Sequence, residues 1–74
     1  MDQNPLIQTE CMLFFQQNPF AVDTARGLAV RLGRKVEHVE PVLDRLVDLA
    51  ILVRVQEGEV TVYRFTHPDA TTIR

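Results

Sequence analysis

Apolar residues recur at helical spacing over most of the chain, and the first such run predicts a helix from Asn4-Pro5 to about Gln17. Asparagine can cap the first free amides of a helix, and proline is pre-organised for its first turn. The Asn18-Pro19 pair should end the helix, because the residue before a proline disfavours helical backbone. The core-facing stripe of this helix consists of Ile7, Cys11, Phe14 and Phe15.

The same helix carries more apolar side chains than one core contact needs. Leu6, Met12 and Leu13 lie outside the core-facing stripe. A contiguous exposed apolar patch usually marks an interface, so we expect these three residues to form a homodimer contact. The alternative is that Leu6 and Leu13 cover the hairpin or the C-terminal tail of the same chain.

A second helix is predicted after a short β-prone stretch at Phe20–Val22. Asp23 should cap this helix, and Gly33 should end it. Gly27 inside it costs about 1 kcal/mol relative to alanine, which suggests that another helix approaches closely there. Its core-facing positions are Ala25, Leu28, Ala29 and Leu32.

A third helix is expected from about Val36 to Ala50. Proline removes one backbone hydrogen bond from a helix, and Pro41 lies inside this segment. We therefore expect either a distorted first turn or a regular helix that begins only near Glu40. The core-facing repeat consists of Val39, Leu43, Leu46 and Ala50.

After Ala50 the apolar period changes from that of a helix to that of a strand. The segments ILVRVQ and VTVYRFT flank an EGE sequence and predict an antiparallel hairpin. A tight turn at Glu57-Gly58 would place Val55 opposite Val60 and Val53 opposite Val62. Residues 67–74 are mostly polar, and we expect them to form a flexible tail.

This order of elements resembles the winged helix-turn-helix superfamily over about residues 5–66. The resemblance is carried by LAVRLGR, by Val39, Leu43 and Leu46, and by AILVRV followed by TVYRF. It implies an α+β fold with three helices, a short strand after the first helix and a C-terminal hairpin called the wing. It implies no single activity, because the superfamily includes both transcription regulators and protein-binding modules.

Composition and charge narrow the function classes. The 74 residues form one small domain, 1–74, with a formal net charge of −2, so no overall positive field attracts nucleic acid or anionic lipid. A single cysteine excludes a disulfide framework and fits a reducing cytosol. The N-terminus has no features of a signal peptide, and no apolar run approaches the ~20 residues of a membrane span. We therefore expect a cytoplasmic domain without membrane contact.

The sequence gives little support for a catalytic site or a metal-binding site. The chain contains no serine, and its glycines form no phosphate-binding loop. Cys11 lies on an apolar helix face, where a buried structural role is expected. His38 has Glu37 and Glu40 nearby but no second soft ligand for a metal ion. We expect neither enzymatic activity nor a cofactor.

The exposed side of the third helix favours a protein-interaction module. In DNA-binding winged helices this helix enters the major groove. On the exposed side of the third helix of this chain, acids outnumber the single cation, Arg45. An acid that approaches a phosphate does not produce the counterion release that drives DNA binding. We expect either an ordinary solvated helix face or a face that docks a partner within a transcription-related assembly, with the first helix as another docking surface. The four acids are Glu37, Glu40, Asp44 and Asp48.

A basic group keeps a second function open. Arg31, Arg34 and Lys35 lie where winged-helix relatives contact phosphates, so the alternative is a dimeric DNA-binding transcriptional regulator. Ordinary solvation and ion pairing would account for basic residues in this chain equally well, for example a pair between Arg54 and Glu57 or Glu59. The sign of charge on the third helix distinguishes the two functions and favours the interaction module.

Overall fold

The computed structural model describes residues 5–67, which form three helices followed by an antiparallel hairpin. This confirms the predicted α+β class and gives a winged-helix-like topology. The Asn4 cap and the tail after His67 lie outside the described residues. None of the described helices is long and apolar enough to cross a membrane. The elements are α1 (Pro5–Gln17), α2 (Ala25–Leu32), α3 (Val36–Asp48), β1 (Leu52–Glu57) and β2 (Val60–Phe65).

Helix α3 lies at the centre of the fold. Helices α1 and α2 and strand β1 all pack against it. Burying one Val or Leu side chain stabilises a fold by about 1.5–3 kcal/mol, so the buried face of α3 alone makes a large contribution. The side chains of α3 with no exposed surface are Val39, Val42, Leu43 and Leu46.

Pro41 does not interrupt α3. The helix runs without a break from Val36 to Asp48, so the expected distortion of the first turn and the later start near Glu40 are both wrong. The Lys35 carbonyl accepts hydrogen bonds from the amides of residues 38 and 39, at 2.9 and 3.2 Å, which closes the first turn before Pro41. The proline ring lies on the exposed side, so its cost is confined to one missing backbone donor.

The end of α3 also differs from the expectation, because the helix stops at Asp48 and not at Ala50. Ala50 has a left-handed backbone conformation, with φ of 63°. Its amide donates to the Val47 carbonyl, and the Ile51 amide donates to the Leu46 carbonyl, both at 2.9 Å. These two bonds form a Schellman motif, in which the left-handed position is usually occupied by glycine.

Thr24, and not Asp23, caps α2. The Thr24 hydroxyl accepts a hydrogen bond from the Gly27 amide at 2.9 Å, and Asp23 Oδ1 accepts one from the Thr24 amide at 2.8 Å. A methyl group at Gly27 would collide with Asp23 Oδ1. The glycine therefore makes room for the side chains at the start of its own helix, and the expectation of a close helix–helix approach is wrong.

The strand predicted at Phe20–Val22 is not formed. Within residues 5–67, only Asp23 pairs with the hairpin on this side, through two backbone hydrogen bonds with Tyr63 of 2.8 and 3.2 Å. The pairing does not extend beyond Asp23, because residues on both sides of it take part in other structures. The Ala21 amide closes a turn onto the Asn18 carbonyl at 2.9 Å, and Thr24 begins α2.

The hairpin turns one residue later than predicted, at Gly58-Glu59. The predicted pairs of Val55 with Val60 and Val53 with Val62 are therefore wrong. Because a shift of two positions along the partner strand keeps every side chain on its own face, the core-facing set is unchanged. The observed pairs include Val53 with Arg64, Arg54 with Tyr63, Val55 with Val62 and Glu57 with Val60.

The C-terminal ends of α2 and α3 allow a matched test of backbone strain. At the end of α2, Gly33 occupies the same left-handed position as Ala50, with φ of 69° and no atom within 4 Å of an added methyl group. We expect Ala50→Gly to raise the free energy of unfolding by about 0.5–1 kcal/mol, because glycine relieves the strain of a left-handed alanine but loses more chain entropy. Gly33→Ala should lower it by a similar amount. Urea denaturation measures both, and a destabilising Ala50→Gly would contradict this account.

Candidate functional site

The exposed face of α3 carries its four acids in a narrow sector. All four side chains are exposed, as the sequence predicted. At about 100° per residue they fall within an arc of about 80° around the helix axis. Arg45 and His38 are also exposed and lie further round the helix, outside this arc. We call the sector formed by Glu37, Glu40, Asp44 and Asp48 the acidic face.

Asp44 is the member of the acidic face that contacts the hairpin. Its Oδ1 atom lies 2.6 Å from Arg54 Nη2 and accepts a hydrogen bond from the Tyr63 hydroxyl at 3.4 Å. The expected pairing of Arg54 with Glu57 or Glu59 is wrong. Arg54 projects from the helix-facing side of β1, whereas Glu57 projects from the opposite side of the strand.

The other three acids carry charge that the described part of the fold does not neutralise. Among residues 5–67, no ion pair or hydrogen bond involves the carboxylates of Glu37, Glu40 or Asp48. Glu40, Asp44 and Asp48 also follow one another at four-residue intervals. Like charges at this spacing destabilise a helix by about 0.2–0.5 kcal/mol per pair, so the arrangement does not serve the stability of α3.

Arg34, one of the three residues expected to contact phosphate, is held within the fold. Its Nε and Nη2 atoms donate to the two carboxylate oxygens of Glu10 at 3.0 and 2.9 Å, which joins the end of α2 to α1. The Arg34 hydrogen bond lowers the pKa of Glu10 below its usual value, and Glu10 raises that of Arg34. A phosphate could engage this guanidinium fully only by displacing Glu10.

Arg31 is also paired, whereas Lys35 is not. Arg31 Nε donates to Asp23 Oδ2 at 2.9 Å, and its guanidinium lies 5.6 Å from the centre of the Phe14 ring. Lys35 is exposed at the start of α3 and makes no ion pair among the described residues. The structure thus brings the three basic residues to one region but leaves only Lys35 there without an acidic partner in residues 5–67.

The sequence pattern did not indicate that Glu10 and Asp23 would pair with arginines. Glu10 is 24 positions from Arg34, and no periodic pattern relates residues on different helices at such a distance. Asp23 had been assigned as a helix cap, and its position next to the start of α2 gave no sign that its second oxygen would reach Arg31.

The predicted dimer patch is divided in the structure. Leu6 and Leu13 are 55% and 47% exposed. Met12 is partly buried and lines a different depression, together with Ile51 and Phe65 at the base of the hairpin. Leu13 borders a depression shared with the end of α2. A homodimer through α1 stays a prediction, and it now concerns the two leucines.

Cys11 lies fully buried in α1. Burial, with a smaller contribution from the charge of Glu10, raises the pKa of its thiol to about 11. The thiolate, which is the nucleophilic form, is therefore scarce near neutral pH. Among residues 5–67, no three His, Cys, Asp or Glu side chains are grouped so that they could hold a metal ion.

Comparison with known proteins identifies no relative of this chain. No protein-family model, curated protein or solved structure matches it. Function must therefore be inferred from the side chains and their contacts.

The Glu10–Arg34 pair predicts a pH-dependent effect of Glu10→Gln. Because the pKa of Glu10 is depressed in the folded state, the pair stabilises the fold above the carboxyl's unfolded pKa, and this contribution disappears as the pH falls through the folded value. We expect Glu10→Gln to be less stable than the parent protein at neutral pH, with a difference that shrinks in acid. Urea denaturation of the parent protein and the variant at neutral and at acidic pH measures this difference in stability, with Glu57→Gln as the control. An equal difference at both pH values would refute the assignment.

Exposure of the two leucines predicts that the protein self-associates through α1. Sedimentation at tens of micromolar should report about twice the monomer mass. Leu13→Glu should return the protein to a folded monomer, because it places a charge in the contact. Val30→Glu is the matched control, since Val30 is 76% exposed on a different helix and the dimer should survive this change. A monomeric parent protein would disprove the dimer.

Proposed function

We propose that this domain is a non-enzymatic protein-interaction module that docks to a basic surface of a partner protein through the acidic face of α3. The observation that carries the proposal is the separation of charge on the surface. Glu37, Glu40 and Asp48 are exposed and unneutralised within the described residues, whereas Arg34 and Arg31 are engaged by Glu10 and Asp23. The resemblance to winged helices makes a transcription-related assembly the setting we propose.

Simple solvation explains this face less well than docking does. A solvated helix face is usually stabilised by mixing positive and negative charges at neighbouring turns. On α3 the acids occupy consecutive turns, and the one arginine of the helix, Arg45, lies outside the sector. A face that keeps mutually repelling charges together is suited to a partner that supplies the opposite charge.

A dimeric DNA-binding regulator is the second candidate, favoured by the winged-helix-like topology and by the exposed position of α3. In this function α3 would enter the major groove. Its acids would then approach the phosphates, and Arg34 would have to give up two hydrogen bonds to Glu10 in order to offset them. Lys35 is the residue that this candidate would use without such a rearrangement.

A titration with mixed-sequence duplex DNA distinguishes the two candidates. We expect weak binding at low salt that becomes undetectable near physiological salt, because few phosphates can be neutralised and little counterion release occurs. Lys35→Gln is the matched variant. It should leave the near-physiological result unchanged if the domain docks proteins, and it should weaken binding if Lys35 contacts a phosphate. Micromolar or tighter binding of duplex at the higher salt would overturn the interaction-module proposal.

A further inference from the structure

A groove of about 460 Å³ opens beside the acidic face, between α3, the first residues of α2 and strand β2. Val36 and Glu40 of α3 line one side of it. Glu59 and Val60 line the other side, at the end of the hairpin, and Tyr63 lies deeper on β2. The groove therefore combines apolar surface with carboxylates that come from two separate elements.

The position of the groove follows from the contacts of Tyr63. Its backbone is bonded to Asp23 on one side, and its hydroxyl donates to Asp44 on the other. Between Tyr63 and the turn, the hydrogen bonds among residues 5–67 do not link β2 to α2 or α3, and this part of the hairpin lines the groove. Glu40 lies one turn before Asp44 on α3.

The chemistry of the groove selects a basic and partly apolar occupant. Glu40 and Glu59 make no ion pair among residues 5–67, so each can receive a cation. Val36 is half-buried and Val60 is 49% exposed, and both would lose solvent contact beneath an apolar side chain. Arg26 at the start of α2 lines the same groove and adds one positive charge, so the two glutamates leave the lining with more negative than positive charge.

We propose that this groove receives a short segment of a partner protein that carries lysine or arginine next to an apolar residue. The apolar side chain lies against Val36 and Val60, and the cations meet Glu40 and Glu59. Charge complementarity selects this occupant over nucleic acid, whose phosphates both glutamates repel. The inference rests on the proposed function and deepens it, because it names the chemistry of the partner and places its contact on the hairpin side of the acidic face.

The probe that tests this groove is an acetylated and amidated peptide that alternates lysine and leucine, with a glutamate–leucine peptide as the control ligand. The groove variant is Glu40→Gln with Glu59→Gln. The matched control is Glu57→Gln, compared with Glu59→Gln alone, because it removes one charge from the same hairpin but lies outside both the groove and the acidic face. All three side chains are exposed, and circular dichroism checks that every variant remains folded.

We expect the lysine–leucine peptide to bind the parent protein, and the groove variant to bind it about fivefold to tenfold more weakly, the loss of two exposed ion pairs. The matched control should change the affinity by less than about twofold. Amide chemical shifts should move at Val36, Val60 and Tyr63.

Three results would overturn the groove: no binding of the lysine–leucine peptide by the parent protein, equal binding of the glutamate–leucine peptide, or equal weakening by Glu59→Gln and Glu57→Gln. The last result would leave the proposed function standing, because neither Glu57 nor Glu59 belongs to the acidic face. Failure of the proposed function is a different observation, namely duplex binding near physiological salt.

Discussion

Burial of one face of α3 is the constraint on which the rest of the structure depends. Val39, Val42 and Leu46 have no exposed surface, and α1, α2 and β1 pack around them. A helix held in this way cannot rotate without opening the core. Its other face is therefore fixed toward solvent, and it presents the side chains that the proposed function assigns to a partner. In this chain that face is acidic, and the topology is winged-helix-like.

Ion pairs between different parts of the fold determine which arginines have an acidic partner. Arg34 is paired with Glu10, Arg31 with Asp23 and Arg54 with Asp44, and each pair joins residues from different parts of the fold. The Arg31 and Arg54 pairs are exposed, and pairs of this kind contribute little stability individually. The larger effect of all three pairs is on the surface, because they engage three arginines while three acids of α3 stay unneutralised within the described residues. The fold thus presents negative charge next to the hairpin groove.

Sequence periodicity was sufficient for the three helices, the hairpin and the exposure of the acidic face, because these depend on neighbours within one helix or strand, but it wrongly predicted a strand at Phe20–Val22. It was less accurate where local choices compete. Thr24 and not Asp23 caps α2, and the turn at Gly58-Glu59 lies one residue later than predicted. Contacts between elements were not predictable. The Glu10–Arg34 pair and the groove beside Glu40 depend on how helices and hairpin are placed in space, and no repeat in the sequence records that placement.

We propose that the arrangement of charge, and not the shape of the fold, keeps the affinity of this domain for DNA low near physiological salt. The most direct test is duplex affinity near physiological salt for a variant that frees Arg34 and neutralises the exposed acids of α3. If the claim is correct, this variant binds duplex at least about tenfold more tightly than the parent protein, with a steeper salt dependence. An unchanged affinity in a folded variant would contradict it. The substitutions are Glu10→Gln, Glu37→Gln, Glu40→Gln and Asp48→Asn.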